Sequence, residues 1–389
     1  MKKFPINVLK PGIIFSEPVY IDETNLLVPA GVLIRQKDLD KLKAWGITTV
    51  QSNGSPQIDE AESSDKFADN KKLDMGAAIP FFSDFPENKS AYNNYMILIE
   101  RMNNVFLKMT KGDIIDYQVT NVIATQLLQV FRSEPGRFIG FILGGDVKGF
   151  EMAKSSVNTA ILSTLCATEL KLPNHRILNI IIGALLHDIG MLRLPKEITE
   201  KNGGLSDQER RLIHSHPILS QRMVIKEFSY HDDVGNIVLN HHERWDGEGY
   251  PFRLSGEKID LGARIVTIAD AFEAMISQKS YRNSIVGNQA IKNLLSDNSR
   301  RFDSDILKVF VMTMGMYPIG SIILLNNGAV ARISDVRALA PLRPKIQVLI
   351  DENKKTIKIE DVISLDLLEE KNLYIKKALD GAELLQLYK

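Results

Sequence analysis

From Met96 onward, apolar residues recur every three or four positions, as Met96, Ile99, Met102 and Phe106 and then as Val119, Ile123, Leu127 and Val130. Residues so spaced share one face of a helix, so residues 91–150 are predicted to be a helical lead-in to something larger. Residues 151–315 keep the helical period, interrupted by polar loops at Gly203-Gly204 and Asp246-Gly247-Glu248-Gly249. The period changes at both ends of the chain. Residues 1–55 alternate short apolar or β-branched stretches (Phe15 to Ile21, Leu26 to Val28, Ile47 to Val50) with turn signals at Pro11-Gly12 and Pro29-Ala30-Gly31. Between them lies a helix-like run, Lys37 to Trp45, with Leu39 and Leu42 on one face. Beyond residue 316, Ser321 to Leu325, Asn326-Asn327-Gly328 and Ala329 to Ile333 read as a hairpin, Lys345 to Ile350 as another strand, and Gly381 to Tyr388 as a short helix. Residues 56–90 are rich in Ser, Asn, Asp, Glu and Lys and carry Pro56, Pro80 and Pro86. Their weak periodicity predicts a linker, within which Ile79 to Phe85 is apolar enough to dock elsewhere. The expected fold is mainly α, with a small α+β N-terminal module that senses or assembles and a β-rich C-terminal extension, residues 316–389.

Composition narrows the function classes. The chain has 389 residues, with 48 Lys+Arg against 48 Asp+Glu. A polyphosphate backbone finds no net attraction there, so long nucleic acid is not an expected partner. Cys166 is the only cysteine, which excludes an intramolecular disulfide and fits a reducing compartment. Asn7, Lys10 and Pro11 interrupt the start before any signal-peptide core develops. The strongest apolar run, Ile177 to Leu186, is shorter than the ~20 residues that span a bilayer. The expectation is a cytoplasmic protein with no membrane span.

Candidate chemistry lies in the helical region. Of seven histidines, His187, His216, His241 and His242 fall within one stretch beside acidic residues. His187-Asp188 closes an apolar helix, His216 precedes Pro217, His241-His242 follows Ile237-Val238-Leu239, and Asp270 sits inside the apolar run Ala263 to Met275. Imidazole nitrogens with carboxylate oxygens suit Mn, Fe or Zn, and a carboxylate can bridge two ions, which is the inventory of a multinuclear hydrolytic site. A single His or Asp in an apolar helix is more often a hydrogen-bonded core group. Asp270 is more telling, because an unpaired buried carboxylate costs several kcal/mol unless a cation or donors compensate.

These residues resemble the HD-GYP subgroup of the HD metal-dependent phosphohydrolases. The resemblance covers Glu151 to Phe310 and rests on Leu186-His187-Asp188-Ile189-Gly190, on His216-Pro217, on the string from His241-His242-Glu243 through Trp245-Asp246-Gly247 to Gly249-Tyr250-Pro251, and on Ala263 to Asp270 with Tyr281-Arg282. It implies a helical HD bundle that binds two or three divalent metal ions, Fe or Mn, and hydrolyses cyclic di-GMP to linear pGpG or on to GMP in bacterial second-messenger signalling. The family's metal positions fall here on Glu151, His187, Asp188, His216, His241, His242 and Asp270, with His187 and Asp188 at the catalytic centre and Asp188 as the bridge. Substrate contacts implied in the same way are Gly249, Tyr250, Pro251, Lys279 and Arg282. A GGDEF-domain protein is an implied partner, and helical bundles with helical lead-ins commonly pair, so a homodimer is expected.

The sequence also departs from the family pattern. A His expected four residues after Glu151 is Ser155, a Lys expected after Gly190 is Met191, an Arg expected nine residues after Asp270 is Lys279, and an Asn expected before Lys201 is Glu200. Retained metal positions favour a phosphodiesterase. The departures favour a degenerate effector that binds the nucleotide or a partner without useful catalysis, or an enzyme for another cyclic dinucleotide. Trp245 reads chiefly as loop packing, and His175, His214 and His231 as ordinary side chains.

Overall fold

The computed structural model describes residues 2–387 except 7–8, 10–12, 22–25, 29–33, 35–38, 40–41, 43–46, 59–78, 114–115, 145–148, 202, 278–285, 298–299 and 338. The chain divides into two compact units, residues 1–72 and 73–389. In the first, strands β1 (Lys2–Pro5), β3 (Val19–Tyr20), β4 (Leu26–Val28) and β5 (Thr49–Ser52) form an antiparallel sheet of order β1-β5-β3-β4. Strand β2 (Ile13–Phe15) pairs with β6 (Pro56–Ile58). Phe15, Val19, Ile34, Leu42 and Val50 make the core, with Phe4 edge-on to Phe15. Of the expected helix at Lys37 to Trp45 only Leu39 and Leu42 are described, both helical and buried; its remaining residues lie outside the described ones.

The second unit is a helical bundle carrying a sheet. Its helices are α1 (Lys89–Lys111), α2 (Tyr117–Ser133), α3 (Pro135–Gly144), α4 (Glu151–Glu169), α5 (Asn174–Leu186), α6 (Lys196–Thr199), α7 (Asp207–Ile213), α8 (His216–Lys226), α9 (Asp232–Asn240), α10 (Leu261–Ile276), α11 (Gly287–Ser296), α12 (Ser304–Met314) and α13 (Gly381–Gln386). Helix α4 is buried on almost every side from Ala153 to Ala167. Its many Ala, Ser and Thr residues let α5, α10 and α12 approach it closely, which makes it the axis of the bundle. The five-stranded antiparallel sheet runs β10-β9-β8-β7-β11, with β7 Ile322–Leu325, β8 Val330–Asp335, β9 Lys345–Ile350, β10 Ile363–Asp366 and β11 Ile375–Ala378. Gly328, at φ +91°, turns the hairpin between β7 and β8.

Of the expected linker, residues 59–78 lie outside the described ones. At its ends Pro56–Ile58 is a strand and Lys89 already begins α1, while Ile79, Phe82 and Phe85 are buried, in keeping with the expected docking of that stretch. Phe82 seats against Phe141 and fills the space a side chain at Gly140 would need, while buried Arg332 donates to the Pro80 carbonyl and lies over the Phe85 ring. Isolated apolar residues whose partners lie far along the chain leave no period to read. Helix α5 continues through a 3-10 turn (Ile189–Arg193), so Asn174–Arg193 passes a membrane-span test of length and composition alone, as a core helix does; most of it is buried inside the bundle.

Candidate metal centre

Three histidines are aimed the same way. His187 ends α5, His216 begins α8 and His241 follows α9, and in each the Nδ1 atom lies 2.6–2.7 Å from the carbonyl oxygen three residues earlier, Ala184, Ile213 and Val238. A carbonyl only accepts, so Nδ1–H donates and Nε2 presents its lone pair inward. The Nε2 atoms of His216 and His241 face each other at 3.3 Å. With both protons committed to Nδ1, that approach sets lone pair against lone pair. His187 Nε2 is fully buried and has no hydrogen-bond partner among the described residues.

Asp188 lies among them. Its Oδ1 is 3.1 Å from His216 Nε2 and 3.7 Å from His241 Nε2, and its Oδ2 is 3.4 Å from His187 Nε2. Asp270, from α10, places Oδ1 3.6 Å from the same His187 nitrogen. Ligand atoms of Asp188, His216, His241 and His242 all lie within 4.8 Å of one another. Burial pushes His242 well below the ordinary imidazole value, with His241 adding to it, and burial likewise lowers His241. Burial acts the same way on His187, but Asp188 and Asp270 outweigh it and hold that imidazole well above its usual value. Asp188 is held well below the carboxylate range by His187, His216 and His241 despite its burial, and Asp270 is lowered by His187. Facing lone pairs, an orphaned imidazole nitrogen and two ionised carboxylates fit a divalent cation.

Local sequence explains the placement. A side chain on Gly190 would meet the His216 carbonyl at 2.3 Å, so only glycine lets the turn after Asp188 reach α8, where Gly190 N–H donates to Ser220 Oγ at 2.8 Å. Gly249 is needed for the same reason, with Arg244 N 2.4 Å and His242 O 2.6 Å from the position of a Cβ. Buried Glu243 clamps the loop by accepting from the backbone N–H groups of Phe252 and Leu254, at 2.7 and 3.0 Å. Trp245 lies beneath the Arg264 guanidinium, which pairs with Asp303 at 2.8 Å. Tyr250 stacks face to face on His214, with ring centroids 3.9 Å apart, and sits 4.8 Å from the His242 ring.

A cavity of about 380 Å³ opens beside the cluster, lined among others by Asp188, Met191, Tyr250, Asp270, Arg301 and Phe302. Of the expected site residues, His187, Asp188, His216, His241, His242 and Asp270 converge, with Tyr250 at the cavity wall and Gly249 and Pro251 in its loop. Glu151 does not join them: its side chain is 67% exposed and paired with Lys154 at 3.1 Å. Lys279 and Arg282 lie outside the described residues. Ser155 donates to Glu273 Oε2 at 2.7 Å, and Asn158 and Ser277 donate to the other oxygen at 3.3 and 2.5 Å. Tyr95 donates to Asn158 Oδ1 at 2.6 Å. This buried network, like Glu243, Ser220 and Arg301, was missed in the sequence reading; Glu273, alone with Asp270 as a carboxylate in α10, carried the signal that could have exposed it.

Residues 146–306 match the family model of the HD domain, and residues 322–387 that of the KOW domain associated with the HD domain. The sequence is 26% identical over 365 residues, 94% of this chain and 92% of the relative, to the cyclic di-GMP phosphodiesterase PdeB of Borreliella burgdorferi. It is 31% identical over 210 residues to the cyclic di-GMP phosphodiesterase PA4108 of Pseudomonas aeruginosa, 54% of this chain and half of that relative's length. Among solved structures, Bd1817, an HDG"Y"P protein from Bdellovibrio bacteriovorus, aligns over 79% of this chain and 97% of its own, at 17% identity and a TM-score of 0.48.

Proposed function

We propose, from the match of residues 146–306 to the HD domain, that the protein is a phosphodiesterase of the HD-GYP kind that opens the ring of cyclic di-GMP by metal-dependent hydrolysis, giving linear pGpG or GMP. The observation that carries this reading is the pair of Nε2 lone pairs facing each other at 3.3 Å beside the Asp188 carboxylate. His216, His241 and His242 would hold one ion and His187 and Asp270 a second, with Asp188, whose two oxygens face the two groups separately, available to both. Divalent ions there, Fe or Mn, would polarise the phosphoryl group and make water nucleophilic at neutral pH.

The chain's own residues do the rest. The carbonyls of Ala184, Ile213 and Val238 fix the histidine tautomers, so the inward nitrogens need no reorganisation. His214 holds Tyr250 as a flat wall against which a guanine can lie, on a loop shaped by Gly249 and Pro251. Lys279 and Arg282, which lie outside the described residues, would supply phosphate contacts as the family resemblance implies. In the cell the reading places the enzyme in the bacterial cytoplasm, as a homodimer, opposite a GGDEF-domain cyclase.

A second reading is favoured by Met191, which brings a thioether to the cavity where the family resemblance implies a Lys: slow turnover, so that the protein acts as an effector, or selectivity for another cyclic dinucleotide. The test is elemental analysis of protein purified without chelator, with single-turnover assays on cyclic di-GMP, cyclic GMP-AMP and cyclic di-AMP. About two ions per chain and cleavage of cyclic di-GMP are expected. Tight binding without cleavage would establish the effector, and cleavage of a different ring would change the substrate.

A further inference from the structure

A cyclic dinucleotide carries two phosphodiester charges, and only one can lie on the histidines and Asp188 at a time. The other must be met elsewhere along the cavity, whose wall includes the Asp297 carboxylate, which repels it. Among the described lining residues one side chain is a Lys or Arg: Arg301. Met191, which lines the same cavity, offers no charge.

Arg301 is presented from a rigid base. The loop that carries Tyr250 is strapped to its segment by two backbone bonds, Trp245 N–H to the Arg301 carbonyl at 3.0 Å and Asp246 N–H to the Arg300 carbonyl at 2.9 Å. The next residues are anchored as well: Phe302 is 2% exposed, and Asp303 caps α12 while pairing with Arg264. The Arg301 guanidinium lies over the Phe302 ring, 5.2 Å from its centroid, and among the described residues it forms no ion pair within 4.0 Å. A guanidinium with a free fork, held beside the aromatic wall and out of contact with Asp188 and Asp270, is suited to bidentate binding of a phosphate that is not the one on the metal centre.

We propose that Arg301 binds the phosphate that is not being cleaved, and so makes the site selective for diesters with a second anionic group over simple ones. The proposal rests on the phosphodiesterase reading, and its test separates the two. Hydrolysis of cyclic di-GMP and of bis(p-nitrophenyl) phosphate, which has a single phosphate, is measured for wild type, Arg301→Gln and Arg301→Lys, with binding of cyclic di-GMP and of guanosine 3′,5′-bisphosphate by calorimetry. Loss of a charge-assisted hydrogen-bonding partner typically weakens binding on the order of tenfold to a hundredfold. Arg301→Gln should raise KM for cyclic di-GMP more than it lowers kcat, and should lower the ratio of kcat/KM for cyclic di-GMP to that for the simple diester by tenfold or more. Arg301→Lys, which keeps the charge and loses the fork, should recover part of it.

A ratio within twofold of wild type, or equal losses on both substrates, would overturn the proposal. If wild type neither binds nor cleaves any cyclic dinucleotide, the phosphodiesterase reading fails, and the bisphosphate decides Arg301 by itself: binding at least tenfold weaker in Arg301→Gln supports it, and equal binding refutes it.

Discussion

Two buried polar clusters of the helical bundle are provided for in opposite ways. On one side His187, Asp188, His216 and His241 crowd together with inward atoms that, among the described residues, face only each other. On the other, at the Ser155 corner, a buried carboxylate is fully provided for: Glu273 accepts from Ser155, Asn158 and Ser277. Buried polar groups are either satisfied within the protein or kept open for something the protein binds. Only the first side is left open, and Glu151, which the resemblance assigns to a metal, faces solvent instead.

The largest test of that contrast is Asp188→Ala. It should empty the centre of metal and lower hydrolysis by at least about a thousandfold, since an electrostatic contributor in the reacting site is typically worth 10²–10³ in rate and here the ions leave with it. Elemental analysis and a single-turnover assay check both parts, and retained metal would mean that the histidines alone hold the ions. Gly249→Ala comes next. It forces a methyl group into the backbone of Glu243 and Arg244, which should cost about 1–3 kcal/mol in denaturant unfolding and displace the Tyr250 wall. An unchanged Cm would show that the loop has room to yield.

Ser155→Ala should leave metal content unchanged while costing about 1 kcal/mol, the worth of one buried hydrogen bond. Loss of an ion in this variant would move Ser155 from the satisfied side to the open one. Smallest of all should be Glu151→Ala: an exposed ion pair with Lys154 is worth about 0–1 kcal/mol, and the metal count should not change. If an ion is lost, Glu151 belongs to the centre after all.

Much of the open side was legible in the sequence, because a metal centre concentrates rare residue types: His187, His216, His241 and His242 stand out in a chain with seven histidines. The satisfied side was not. Ser155, Asn158 and Tyr95 are ordinary helix residues, and what joins them to Glu273 is the packing of α4 on α10 and α1, which no local pattern encodes. The helical bundle was readable from its 3.6-residue period. Strands Ile363–Asp366 and Ile375–Ala378 were not singled out, since one is half-exposed and the other carries the consecutive Lys376 and Lys377 in place of an alternation, both at the edges of the sheet. Arg301 escaped notice because it is a surface residue in a turn, brought to the cavity by backbone bonds from the Trp245 loop.

The contact of Arg332 with Pro80 bears on how the protein can be taken apart. Ile323, Leu325, Ala331, Ile333 and Ile346 of the sheet belong to the same core as Leu98, Phe138 and Ile161 of the bundle. Where the sequence changes from helical to strand period, near residue 316, there is therefore no seam. A stop codon placed there would strip cover from α3 and leave the Ile79 to Phe85 segment without the surface on which it rests, although every residue near the metal centre would still be encoded. The sheet works as a wall of the building and not as an annex, and gene fusions or domain exchanges that cut between residues 315 and 322 should give insoluble protein.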